Sequence, residues 1–141
     1  MSRLQSCRCP NYSLFLTAVF LWIGFLCVEL FIRTYNLYSD VPAVDIPSHF
    51  FSGIALFAIA LWYFSLTGTS RKPILSLSFV LAAAIVWEIL EKLQEFVVFN
   101  PPGLIDVFFW DGVKDILVTV VGALAGFMLL LYLRKKSRVE F

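Results

Sequence analysis

Charge is what this sequence has least of. Only 15% of its 141 residues are Asp, Glu, Lys or Arg, against about 25% in a typical soluble domain. Hydrophobic residues make up 60%, where soluble domains have about 45–50%, and mean hydropathy is +0.86. That balance excludes an ordinary soluble domain, because the excess apolar surface has to face lipid. The formal net charge of +1 gives no electrostatic reason for a nucleic-acid partner, and none is expected. Histidine is almost missing: His49 stands alone. Cysteine is scarce too. Cys7 and Cys9 precede the first apolar run, Cys27 lies within it, and no second pair completes a four-ligand zinc site. These are expected to be inert thiols, with acylation beside the membrane as the alternative. Also missing are a recognisable nucleophile motif, an arginine cluster for phosphate, and a small-x-small cleavage site after the first apolar run. That run, from Leu14 to Ile32, is therefore read as a retained helix rather than a signal peptide.

What the chain does have is long apolar runs. Crossing about 30 Å of hydrocarbon takes about 20 helical residues. Four segments qualify, and the fold class expected is an all-α, polytopic bundle of about four transmembrane helices. The spans are placed at 13–33, 47–66, 73–98 and 111–133, with residues 1–12 as an N-terminal segment and 134–141 as a basic tail. Asp45 or Ile46 is expected to cap the second span, with Pro47 in its first turn, where a missing N–H does no harm. Thr67-Gly68-Thr69-Ser70 and Asn100-Pro101-Pro102-Gly103 are breakers between spans.

Orientation follows from Lys and Arg. Arg3, Arg8, Arg71, Lys72, Arg134, Lys135, Lys136 and Arg138 fall on one side of a four-span arrangement, while Arg33, Lys92 and Lys114 fall on the other. The positive-inside rule then puts both termini in the cytoplasm, and the chain in the cell (plasma or inner) membrane as a multi-pass protein. The acids separate the opposite way. Glu29, Asp40, Asp45, Glu88, Glu91, Glu95, Asp106, Asp111 and Asp115 all lie in the outer half or outer loops, leaving only Glu140 inside. Acids contribute little to topology, so this gathering is a separate observation.

A charge near a helix centre costs about 2.5–3.5 kcal/mol on insertion scales, so such residues face a bundle interior or a wet cavity. Glu88, Glu91 and Glu95 share one helix face, and Glu88 lies roughly 15 Å below the outer end of its helix. Asp45 and His49 are four apart on the second span, with Ser48 and Ser52 beside the histidine and Gly53 allowing close approach of a neighbour. Asp111 and Asp115 are four apart on the fourth, with Lys114 between them. The pair Glu29 and Arg33 on the first span can bond to each other or add a phosphate contact. Gly122 and Gly126 form a GxxxG pair that draws its helix against a neighbour, or against a second copy of the chain. The short aromatic segment Leu104–Trp110 reads as an interfacial anchor, or as a lid admitting lipid headgroups sideways.

Carboxylates of this kind bind hard cations such as Mg²⁺ or Mn²⁺, and crowded carboxylates suit proton transfer. In the site expected from these residues, His49, Asp45 and Glu88 are catalytic. Glu88, Asp111 and Asp115 hold a divalent cation, with Glu91 and Glu95 around them. Asp45 orients His49 as acid/base.

The motifs Asp45-Ile-Pro-Ser-His49-Phe50-Phe-Ser-Gly53, Trp87-Glu88-Ile-Leu-Glu91 and Trp110-Asp111-Gly-Val-Lys-Asp115, closing on Gly122-Ala123, resemble the YjdF-like bacterial and archaeal membrane proteins. They are also similar to the VanZ-like proteins, with Thr119 where that pattern has Asn. The resemblance covers roughly Asp45 to Gly126. It implies a small multi-helix membrane protein and, for VanZ-like members, a link to glycopeptide resistance and envelope lipids. Three functions stay open. One is a metal-assisted enzyme at the outer leaflet, acting on membrane lipid or lipid-linked phosphate. Another is a protein that binds a ligand or conducts protons or a cation along the carboxylates. The last is a non-catalytic partner subunit, with Gly122 and Gly126 at its interface.

Overall fold

The computed structural model has four long helices among the described residues: α1 (Tyr12–Thr34), α2 (Asp45–Leu66), α3 (Lys72–Phe99) and α4 (Ile105–Ser137). The structure describes residues 12–35, 37, 43–67, 69–99 and 105–137. Cys7, Cys9, Asp40, Gly68, the Asn100–Gly103 breaker and residues 138–141 lie outside the described residues, as do the side chains of Glu95 and Asp106. All four helices are long and apolar enough to cross a membrane. Their outer faces are largely apolar and exposed, with Leu16, Phe20, Phe79, Ile85 and Met128 among them. Such surface is compatible with lipid and not with water.

α2 is the centre of the bundle and packs on all three other helices, while α4 also packs on α3. Its sequence explains why. Ser48, Gly53, Ala55, Ala58 and Ala60 are all buried, and small residues let backbones approach closely where lipid supplies no hydrophobic drive for association. A Cβ at Gly53 would overlap the backbone carbonyl of Thr119 on α4, and one at Gly122 would overlap that of Phe50 on α2. At Gly126 a Cβ would stand 3.4 Å from the side chain of Ile54. α2 of the same chain therefore packs on the Gly122/Gly126 face. Beyond the crossing, Phe57, Leu61, Val80 and Ala123 form an apolar cluster, with Phe57 and Phe127 edge to face at 5.9 Å.

The start of α2 differs from the expected cap. Val44 holds the N-cap position and gives no side-chain hydrogen bond, so Asp45 is the first helical residue. The turn before it is made by Ala43 at φ 59°, a left-handed conformation that costs a residue with a Cβ roughly 1–2 kcal/mol. The backbone bond from Ile46 N–H to the Ala43 carbonyl, 3.2 Å, closes this turn. Relieved of capping, the Asp45 carboxylate is free to face α4. The aromatic segment before the fourth span is itself helical from Ile105, and Phe109 and Trp110 are exposed on α4.

Candidate functional site

The acids gather at the end of the bundle where α1 and α3 finish and α2 and α4 begin. Alternating helix direction brings these four ends together, and the Gly53–Gly122 crossing fixes how α2 and α4 face each other. Between them the Lys114 ammonium donates to Asp45 Oδ2 at 2.8 Å and to Asp111 Oδ1 at 2.8 Å. It also lies 3.5 Å from Asp115 Oδ1. His49 Nε2 is 3.7 Å from Asp115 Oδ2, and the other ring nitrogen, Nδ1, is 3.5 Å from Thr119 Oγ1. Asp45, His49 and Asp115 each offer one donor atom within 4.8 Å of the other two. Asp115 is 5% exposed, and its Oδ1 has no hydrogen bond among the described residues.

α1 joins this network from the other side of α2. Ser48 Oγ donates to Glu29 Oε2 at 2.7 Å, and Arg33 Nε donates to Glu29 Oε1 at 2.7 Å. The Glu29–Arg33 spacing thus forms the pair that it suggested, and Ser48 ties it to the central helix. On α3, Glu88 is 6% exposed, and its Oε2 has no hydrogen-bond partner among the described residues. Gly112 of α4 faces it, where an added Cβ would stand 3.1 Å from Glu88 Oε2. Lys92 Nζ lies 4.0 Å from Asp111 Oδ2.

A cavity of about 800 Å³ runs through this end of the bundle. That is in the range of small-molecule sites. Trp22, Phe25, Leu26 and Leu56, with Ala84 and Trp87, give it apolar walls, and Glu29, Asp45, His49, Glu88, Asp111 and Asp115 line its polar part. Glu91 lines it as well. Six carboxylates stand there against two fixed cations, Arg33 and Lys114.

Of the residues singled out in the sequence, Asp45, His49, Glu88, Glu91, Asp111 and Asp115 line one cavity, but they group differently within it. The metal set read from spacing was Glu88, Asp111 and Asp115. The three donors that approach one another are Asp45, His49 and Asp115, while Asp111 is turned to Lys114 and Lys92, and Glu88 sits apart at Gly112. Asp115, not Asp45, is the carboxylate at His49 Nε2. Sequence reasoning gave no role to Thr119, Gly112 or Trp22. Their only signals were position: Thr119 is four residues beyond Asp115, and Gly112 follows Asp111 directly.

No curated protein and no solved structure matches the chain. The family described as "Predicted membrane protein (DUF2238)" matches residues 4–136, nearly the whole chain. With four helices of membrane-crossing length and apolarity, this is a multi-pass membrane protein belonging to that family.

Proposed function

We propose that the chain is an enzyme of the cell membrane that uses a divalent cation to act on the polar head of an outer-leaflet lipid or lipid-linked phosphate. Both termini are in the cytoplasm in this reading, so the acidic cavity opens outward. One observation carries it: Asp45, His49 and Asp115, from two helices, offer three ligand atoms within 4.8 Å of each other. Donors about 2.2 Å from one ion fall within such separations. Two carboxylates and an imidazole suit Mn²⁺ better than Mg²⁺, which prefers oxygen and water. Such an ion would polarise a headgroup oxygen or activate water. Lys114 would then move onto Asp111, with which it already shares a hydrogen bond. The resemblance to VanZ-like proteins supports an envelope-lipid role.

Conduction is disfavoured by what lies past the cavity. Phe57, Leu61, Val80 and Ala123 pack there, and the Ser65 and Ser76 hydroxyls donate to backbone carbonyls of their own helices. A second reading has one observation behind it. Lys114 already bridges Asp45 and Asp111, so an ammonium can serve as the resident cation of a structural network.

Titrating purified protein with Mn²⁺, and following the signal of the free ion by electron paramagnetic resonance, separates the two. One tightly bound ion per chain, lost in Asp115→Asn and in His49→Ala, supports the metal site. Equal uptake by all three proteins makes the network purely structural. Phosphate release from envelope lipid phosphates, present with Mn²⁺ and abolished by EDTA, then tests the enzyme. No turnover on any of them under either condition rules it out.

A further inference from the structure

Glu88 is unlike the other acids of the cavity. Its Oε2 is buried and receives no hydrogen bond among the described residues, although the side chain lines the cavity. A buried acceptor left unpaired is destabilising, so this oxygen needs a donor. Gly112 packs close to it, and a Cβ added there would crowd Oε2 at 3.1 Å. The donor is not obviously a metal ion. A hard divalent cation takes six or more oxygens, and Glu88 stands outside the three-donor group of Asp45, His49 and Asp115. An ammonium can be satisfied by far fewer acceptors.

A second orphan lies on the same cavity wall. Trp22 Nε1–H is buried and finds no acceptor among the described residues. A ligand filling the cavity would thus supply a donor to Glu88 and an acceptor to Trp22. The walls add two requirements. The six carboxylates that line it outnumber Arg33, Lys114 and the neighbouring Lys92 and favour a ligand with positive charge, and the Trp22, Phe25, Leu26 and Trp87 surfaces favour one with an apolar tail.

We propose that the cavity binds a phospholipid whose headgroup carries a primary ammonium, with the ammonium donating to Glu88 and a headgroup oxygen accepting from Trp22. This rests on the reading of the cavity as a lipid-headgroup site. The phosphate of the same headgroup would then lie toward Asp45, His49 and Asp115, the residues that would hold a cation, and the ammonium toward α3. A quaternary ammonium has no N–H to donate, so it satisfies the charge but not the hydrogen bond.

Native mass spectrometry of the full chain in detergent, with added dioleoyl phosphatidylethanolamine, phosphatidylcholine or phosphatidylglycerol, tests this. The primary amine lipid is expected to bind about tenfold tighter than either other lipid, the scale of a hydrogen bond to a charged group. Glu88→Gln and Gly112→Ala should both lose that preference, the second with the carboxylate intact. Soluble O-phosphoethanolamine displacing the lipid would assign the same contact to the free headgroup, and retention of the lipid assigns it to the whole amphiphile. Equal binding of the three lipids, or a preference that survives both substitutions, overturns the proposal. Mn²⁺ uptake by the same two variants keeps the readings apart. If uptake is normal while the lipid preference is absent in the wild type, the ammonium assignment alone fails. If wild-type protein takes up no Mn²⁺ but prefers the amine lipid, the metal reading fails and this one stands.

Discussion

Gly53 and Thr119 meet backbone to backbone: a Cβ on the glycine would overlap the Thr119 carbonyl. Gly122 meets Phe50 in the same way from the opposite helix. This double contact sets the separation of α2 and α4, and with it the distance from Asp45 and His49 to Lys114 and Asp115. Gly53→Ala and Gly122→Ala each force the helices apart, and overpacking of this kind costs about 1–3 kcal/mol or more. Both variants should melt well below wild type in detergent. Gly24, with nothing within 4 Å of its would-be Cβ, is the control, and Gly24→Ala should leave the melting temperature unchanged or slightly raised. Equal behaviour of all three would show that the crossing does not depend on the missing side chains.

Lys114 bonds both Asp45 and Asp111. Removing it leaves half-buried Asp45 and buried Asp115 with no ammonium beside them. Lys114→Met should therefore destabilise by about 1–3 kcal/mol, the cost of leaving buried polar groups unpaired. Asp45→Asn removes part of what Lys114 balances, so the double variant should fall short of the sum of the two, with a coupling of about 0.5–3 kcal/mol. Thermal unfolding of the four proteins gives that number. Strict additivity would mean that the 2.8 Å contact contributes nothing to the fold.

Much of this arrangement is legible in the sequence, and the reason it is legible also explains where reading stops. Apolar runs of about 20 residues declare helices of membrane length, and breakers place them roughly. Spacing within a helix declares which residues share a face, so Asp45 with His49 and Asp111 with Asp115 are visible as pairs. Spacing does not declare how one helix is rotated against the next. That rotation is fixed by Gly53 against Thr119 and by Gly122 against Phe50, contacts between residues about seventy positions apart. It decides that His49 Nε2 meets Asp115, and that Glu88 faces Gly112. Gly122 and Gly126 were visible as a packing face, but the partner, α2 of the same chain, was not.

Eight of the Lys and Arg residues precede α1, stand at the junction of α2 and α3, or lie in the last turn of α4 and just past it, and the positive-inside rule counts residues near span ends and in short loops most heavily. A green fluorescent protein fused after Phe141 should therefore be fluorescent in bacterial cells, and alkaline phosphatase at the same position inactive. A phosphatase inserted in the segment between α3 and α4 should be active. The reverse pattern would turn the acidic cavity to the cytoplasm and remove outer-leaflet lipids as its ligands.

Thr119 offers a finer test of the metal reading, because its two ends do different things. The backbone carbonyl meets Gly53, so changing the side chain leaves the helix crossing alone. The hydroxyl lies 3.5 Å from His49 Nδ1, on the far side of the ring from Asp115. Groups that hold the second nitrogen of a ligating histidine set its tautomer and orientation, and losing one costs about 10–100-fold in metal affinity. Thr119→Val keeps the shape and removes the hydroxyl. It should weaken Mn²⁺ binding by about tenfold with little change in melting temperature, whereas Thr119→Ser should bind as wild type does. A structural network without a metal predicts the opposite order of effects. The hydroxyl would then matter only through packing, Val would be tolerated, and Ser, which leaves a methyl-sized gap at a buried position, would be the more destabilising change at about 1 kcal/mol.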